Sequence, residues 1–173
     1  ADIPKWMRLA CSKEGIALAK TGHREAGGKL FFQTTFFDAK LLDGLGLPRE
    51  AVAYVTLHPD GTVAIICHRS EMGQGIRTTM PMIIADEMEA DWAQCRVVQA
   101  DGDDKKYGSQ NTDGSTSIRD FLPRYREAGA TVRALLEDAA AKEWGVAASE
   151  VQAQQHTVVH AATGRTLAFA ALV

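Results

Sequence analysis

Between Ala51 and Trp92 the chain changes periodicity at a single point, and that change restricts the fold more than any other feature. "VAYVTLH" and "TVAIICH" are two β-rich runs separated by Pro59-Asp60-Gly61, in which proline presets one φ angle and glycine accepts a positive one. They are expected to pair as a β-hairpin. The second run continues through "RSEM" into Gly73-Gln74-Gly75 and then into "IRTTMPMIIADEMEADW", where Met80, Ile83, Ile84 and Met88 recur at helical spacing. The glycines are therefore read as a strand-to-helix turn, with Thr78 or Thr79 as helix cap and Pro81 in the first turn.

Downstream, "CRVVQAD" reads as a strand and "GDDKKYGSQNTDGSTS" as a polar, glycine-bearing loop. A second, longer helix should follow, carrying Ile118, Phe121, Leu122, Tyr125, Val132, Leu135, Leu136, Ala139, Ala140 and Trp144 on one stripe. Ser115, Thr116 or Ser117 would cap it and Gly145 would stop it. "EVQAQQHTVVH", "AATGRT" and "TLAFAALV" are taken as strand, turn and next element, and an apolar end of that kind is expected to want a partner. Upstream, "WMRLACSKEGIALAKTG" is a weak helix or extended arm and "GGKLFFQTTFF" a short strand. The fold class is thus α/β (α+β), with short mixed sheets and two main helices. The domains are residues 1–50, an arm or partial element, and 51–173, a segment of a larger domain.

Composition narrows the function. With 173 residues, 46% of them hydrophobic, the chain can build one modest core. A net charge of -3 argues against a nucleic-acid partner. Cys11, Cys67 and Cys95 are too few and too scattered for a disulfide framework or a Cys-x-x-Cys metal clip, and the absence of a long apolar stretch reads as soluble.

Two loops share one design, a glycine-bearing turn that opens a helix: Gly73-Gln74-Gly75 and Asp113-Gly114-Ser115-Thr116-Ser117. Backbone N–H groups and the positive dipole end of a helix start attract an anion without needing lysine. The hydroxyls of Thr78, Ser115, Thr116 and Ser117 would add donors, and Gln74, flanked by glycines, would offer an amide. Other polar groups read as structural. Glu71 is taken as a solvated turn carboxylate, and His23, His58, His68, His156 and His160 as strand-edge residues. Cys67 is taken as a buried thiol, and Asp101, Asp103 and Asp104 as an acidic turn. No Walker lysine follows either loop.

"SEMGQGIRTTMPMIIADEMEADWAQCRVVQAD", "YGSQNTDGSTSIR" and "REAGATVRALLEDAAAKEWGV", in that order, resemble the molybdopterin-binding large subunit of the xanthine dehydrogenase family of molybdenum hydroxylases. The resemblance is strongest to the branch holding the isoquinoline 1-oxidoreductase beta subunit and the membrane-bound aldehyde dehydrogenases. It implies that Gly73, Gln74 and Gly75 contact the pterin, with Gln74 as hydrogen-bond donor to an oxo ligand of molybdenum. Gly114, Ser115, Thr116 and Ser117, with Gln110 beside them, would face the phosphate and nucleotide part. The implied cofactor is molybdenum-molybdopterin cytosine dinucleotide, and the implied reaction is hydroxylation of an aldehyde or N-heteroaromatic C–H with water-derived oxygen. Implied partners are the rest of the subunit, an iron-sulfur subunit carrying the clusters, and a cytochrome c subunit. No metal ligand and no catalytic base is expected here, because the family's Gly-x-Gly-Glu stretch is missing from this chain. The alternative is a non-catalytic assembly module whose loops serve only as turns. Compartment is left open between the cytoplasm and the periplasmic face of the inner membrane.

Overall fold

A computed structural model describes residues 54–173 in full and, before them, the backbone of two short antiparallel strands, β1 (Glu25–Ala26) and β2 (Lys29–Leu30). The second of these lies inside the run read as a strand. The helix or arm read at residues 6–22, Phe31 to Phe37, Cys11 and His23 lie outside the described residues.

The hairpin forms as the Pro-Asp-Gly turn predicts. β3 (Val55–Leu57) pairs antiparallel with β4 (Val63–Cys67), with Val55 opposite Ile65 and Leu57 opposite Val63. Gly61 sits at φ +88, and Asp60 Oδ1 accepts from Thr62 N at 2.9 Å to close the turn. β4 then leads into helix α1 (Ile76–Glu87), which returns the chain to β5 (Cys95–Gln99), parallel to β4 in the register Val63–Cys95 to Cys67–Gln99. Parallel neighbours require such a crossover, so the helix spacing after the glycines fixes the topology β3-β4-β5.

After β5 comes a one-turn helix, α2 (Asp104–Tyr107), inside the stretch read as loop; Asp103 caps it by accepting from Lys106 N. Helix α3 (Thr116–Trp144) follows, 29 residues long. It buries Tyr125, Ala128, Val132, Leu136 and Ala140 against α1 and both sheets, whereas Leu122 is 38% exposed and leaves the predicted stripe. Gly145, at φ +69, ends α3, and its N–H donates to Ala141 O. A Cβ at Gly145 would meet no atom within 4 Å, so only the backbone conformation opposes substitution. Gly145→Ala is expected to lower stability by about 1 kcal/mol, read as a shift of the urea midpoint at constant slope.

The segment read as one strand after α3 is a hairpin. β6 (Val151–Gln154) and β7 (Thr157–His160) turn at Gln155-His156, both at positive φ (+47 and +65), and β8 (Arg165–Ala168) adds antiparallel to β7. The turn carries no glycine because tertiary bonds hold it. His156 N donates to Glu89 O at 2.7 Å, its Nε2 lies 2.9 Å from Gly61 O, and its Nδ1 accepts from Asp91 N at 3.2 Å. The acceptor carbonyl and the donor amide together fix the neutral tautomer with the proton on Nε2. His156 therefore ties the second sheet to the first, and it, His68 and His160 are buried rather than at strand edges. The apolar end is likewise covered by the chain itself: Phe169 and Leu172 are buried in the common core.

Candidate functional site

The two glycine loops emerge side by side beyond the carboxyl end of β4. Ser70 O accepts from Gln74 Nε2 of one loop at 3.0 Å and from Thr112 Oγ1, directly before the other, at 3.0 Å. One carbonyl thus joins the two loops. A cavity of about 740 Å³ adjoins them, with Ser70, Glu71, Arg77, Gln99, Gln110 and Asn111 in its lining.

The first loop is closed on itself. Gly73 and Gly75 adopt φ +98 and +84, values that exclude most side chains, and no atom would meet a Cβ at either. Gln74 does not stand out: its Oε1 accepts from Met72 N at 2.6 Å while its Nε2 bonds Ser70 O. The start of α1 is Gly75, not Thr78 or Thr79, because Glu71 supplies the cap from upstream. Its carboxylate accepts from Gly73 N (2.6 Å), Gly75 N (3.1 Å) and Arg77 N (2.9 Å). Thr78 is exposed on the first turn, its N–H on Gly75 O, and Pro81 lies beyond that turn, inside the helix. Glu71, read as merely solvated, is thus the clasp of the loop.

The backbone bonds from Arg77 and then Gly75 hold the Glu71 carboxyl below the usual carboxylate range. Its contribution is therefore present above the ordinary carboxylate pKa and disappears as pH falls through the depressed one. Glu71→Gln is expected to give, at neutral pH, the faster loop proteolysis that the unmodified chain reaches only in acid. Cleavage rates measured from pH 7 down to pH 3 check this, and a variant no faster than the parent at pH 7 would contradict it.

The second loop is built differently. Gly114 (φ +51) and Ser115 (φ +56) are both left-handed, and the start of α3 has no side-chain cap. Sequence reasoning offered Ser115, Thr116 and Ser117 as hydroxyl donors; the structure turns two of them inward. Thr116 Oγ1 accepts from Arg69 Nη2 at 2.8 Å and Ser117 Oγ from Arg69 Nε at 2.9 Å. Arg69 Nη1 bonds Ser109 O at 2.7 Å. The guanidinium is 1% exposed, so its donors take every nearby acceptor. Gln110 is also committed. Its Nε2 bonds His68 O and Asp101 O, and its Oε1 accepts from Asp103 N, pinning the acidic loop to the end of β4.

Arg69 escaped the sequence reading, although an arginine directly after an apolar strand and before a glycine turn has little room to reach water. Beneath it, burial, with the Arg69 and Arg124 charges adding, lowers His68 to a pKa of about 4. Burial likewise pushes the Cys67 thiol up, in agreement with its reading as an inert core residue.

This pair of loops, on a small mixed sheet crossed by two helices, has counterparts in known proteins. The chain belongs to the family described as molybdopterin cofactor-binding domain, which it matches over residues 8–173. It is 36% identical over 126 residues to the isoquinoline 1-oxidoreductase beta subunit of Brevundimonas diminuta, a match covering 69% of this chain and 16% of that protein. It is 34% identical over 124 residues to the membrane-bound aldehyde dehydrogenase (pyrroloquinoline-quinone) of Gluconacetobacter polyoxogenes, covering 72% and 16%. A nicotinate dehydrogenase subunit of Pseudomonas putida is 31% identical over 126 residues, covering 72% and 10%. Among solved structures, a Cu,Mo-CO dehydrogenase matches with a TM-score of 0.58 at 20% identity, over 68% of this chain and 15% of that one. That likeness bears on the fold, which is mixed α/β as the sequence indicates. The chain spans about a sixth of the length of its first two relatives.

The residues fit an anionic pterin nucleotide unequally. The uncapped start of α3, with two left-handed residues in front of it and a buried cation behind, suits a phosphate. The start of α1 already holds the Glu71 carboxylate, so its backbone donors become available only when Glu71 and Gln74 turn outward.

Proposed function

We propose that this chain forms one wall of the cofactor site in a molybdenum hydroxylase that oxidises an aldehyde or N-heteroaromatic C–H with oxygen from water. The observation that carries the proposal is the meeting of two glycine-opened helix starts at Ser70, one of them uncapped. In this reading the backbone N–H groups of Ser115 and Ser117 receive the phosphate part of a molybdopterin cytosine dinucleotide beside Gly114, while Thr116, its own N–H on Asp113 O, shapes the turn. Gly73 and Gly75 let the backbone approach the pterin, and Gln74, turned out from Ser70 O, donates its amide N–H. Thr78 adds a hydroxyl on the exposed first turn of α1, and Gln110 keeps the second loop in place through His68 O and Asp101 O. When bound, the group supplies two-electron oxidation of an electron-poor carbon; the protein orients it and excludes competing reactions. Its electrons would leave through iron-sulfur clusters on a partner chain, and onward to a cytochrome c subunit. The rest of the molybdopterin-binding subunit would supply the base and the substrate pocket.

The inward state of Gln74 and Glu71 favours one other reading, an assembly module whose loops are only turns. Metal and nucleotide analysis of the purified complex separates the two, because the first expects molybdenum together with CMP released by acid and the second expects neither. Gln74→Ala and Gly75→Val are expected to abolish activity of the complex while leaving its subunits together. Full activity in both variants would reject the cofactor role of the loop.

A further inference from the structure

The strongest unassigned feature is a buried cation. Arg69 lies between the two loops, 1% exposed, with its Nε, Nη1 and Nη2 on Ser117 Oγ, Ser109 O and Thr116 Oγ1. Nη1 also reaches Ser109 Oγ at 3.3 Å, and all four acceptors are neutral. No ion pair to Arg69 occurs among the described residues, and the centre of the Phe121 ring lies 5.1 Å from the guanidinium carbon. A buried charge is normally paired, because neutral acceptors recover only part of its lost hydration. Two helix starts in front of it add positive potential of their own. Of the nearby anions, Glu71 is spent on the amides of Gly73, Gly75 and Arg77.

We propose that Arg69 is a positioning residue whose buried charge, anchored in the first turn of α3 and adjoining the Gly-Gln-Gly loop in sequence, makes the junction of the two loops prefer an anion. The inference rests on the proposed cofactor role and adds to it the source of its charge selectivity. It also explains how a chain of net charge -3, with no lysine in either loop, could hold a polyphosphate group. Because the guanidinium holds Thr116 and Ser117 by their side chains, the Ser117 backbone N–H is left to face outward from the helix start, whereas that of Thr116 donates to Asp113 O at 3.1 Å.

The test is calorimetric titration of the full chain with inorganic pyrophosphate at low and high salt, for the parent, Arg69→Lys and Arg69→Gln. Arg69→Gln should bind about tenfold more weakly, the equivalent of about 1.4 kcal/mol, and lose most of the salt dependence. Arg69→Lys keeps the charge and should stay within about threefold of the parent. A brace acting through hydrogen bonds alone would instead weaken both variants alike. NMR titration of His68 gives a second readout: its pKa should rise in Arg69→Gln and stay in Arg69→Lys, since the Arg69 charge helps to depress it. If Arg69→Gln does not accumulate folded, Ser117→Ala decides, with a two- to threefold weaker pyrophosphate affinity expected through a loosened guanidinium. Unchanged affinity in Ser117→Ala, or in a folded Arg69→Gln, overturns the assignment and leaves the cofactor reading standing. A parent chain that does not bind pyrophosphate overturns both.

Discussion

Gly129→Ala is expected to destabilise the fold by about 2 kcal/mol, although alanine is the better helix former by about 1 kcal/mol. Gly129 lies where α3 crosses α1, and a Cβ there would fall 2.7 Å from Ile84 O, 2.7 Å from Glu87 Cβ and 3.2 Å from Ile84 Cα. Two of those three atoms belong to the α1 backbone, which cannot step aside as a flexible side chain would. The helices must separate, and that opens the contact made by Met80, Ile84, Met88, Ala128 and Val132, all buried. Overpacking typically costs about 1–3 kcal/mol, and a clash with backbone lies at the upper end, so about 2 kcal/mol of loss remains after the propensity gain of about 1. Ala130, one residue on and exposed, provides the control. Ala130→Gly should cost about 1 kcal/mol from propensity alone. Chemical denaturation of both variants tests the claim through its sign. A Gly129→Ala variant more stable than the parent would mean that the crossing is looser than these distances indicate.

Spacing was enough to read the skeleton. The Pro-Asp-Gly hairpin, the strand-to-helix turn, β5 and the long helix closed by Gly145 each follow from local residue choice, because each depends on neighbours in sequence. The misreadings share a different cause. Gln155-His156 turns without glycine because His156 is held by Glu89, Asp91 and Gly61, the last 95 residues away, which no local pattern can announce. The apolar end looked unpartnered because the surface it covers is assembled from distant elements. At the candidate site, positions and roles came apart. The glycines sit where backbone geometry requires them, but hydroxyls and amides serve whichever buried group lacks a partner. Arg69 therefore claims Thr116 and Ser117, and Glu71 claims the start of α1. Residue type announces what a side chain can bond; only the fold determines what is left for it to bond.

Tyr125 shows the same rule in the core, and removing its hydroxyl should have a large effect for a single-atom change. The ring is fully buried, and the hydroxyl donates to Ile66 O at 3.0 Å, which obliges it to accept from His68 N at 3.3 Å and from His68 Nδ1 at 2.9 Å. The proton of His68 therefore sits on Nδ1, and burial pushes the phenol pKa far up, so the hydroxyl stays neutral. Tyr125→Phe keeps the ring against Tyr54, 4.8 Å between centroids, and strands three polar groups at the end of β4, directly before Arg69 and the first glycine loop. Each unsatisfied buried group costs about 1–3 kcal/mol, and with partial relaxation a total of about 3 kcal/mol is expected. The pH dependence carries its own sign. With His68 held near pKa 4, the unfolded chain binds the extra proton between about pH 6.5 and 4, so stability falls as pH drops through that window, by at most about 1.4 kcal/mol per unit. Urea midpoints of the parent and Tyr125→Phe from pH 7 to pH 4 test both claims. A parent midpoint flat across the window would show that His68 is not held neutral, and a Tyr125→Phe loss below about 1 kcal/mol at pH 7 would show that the three groups find other partners.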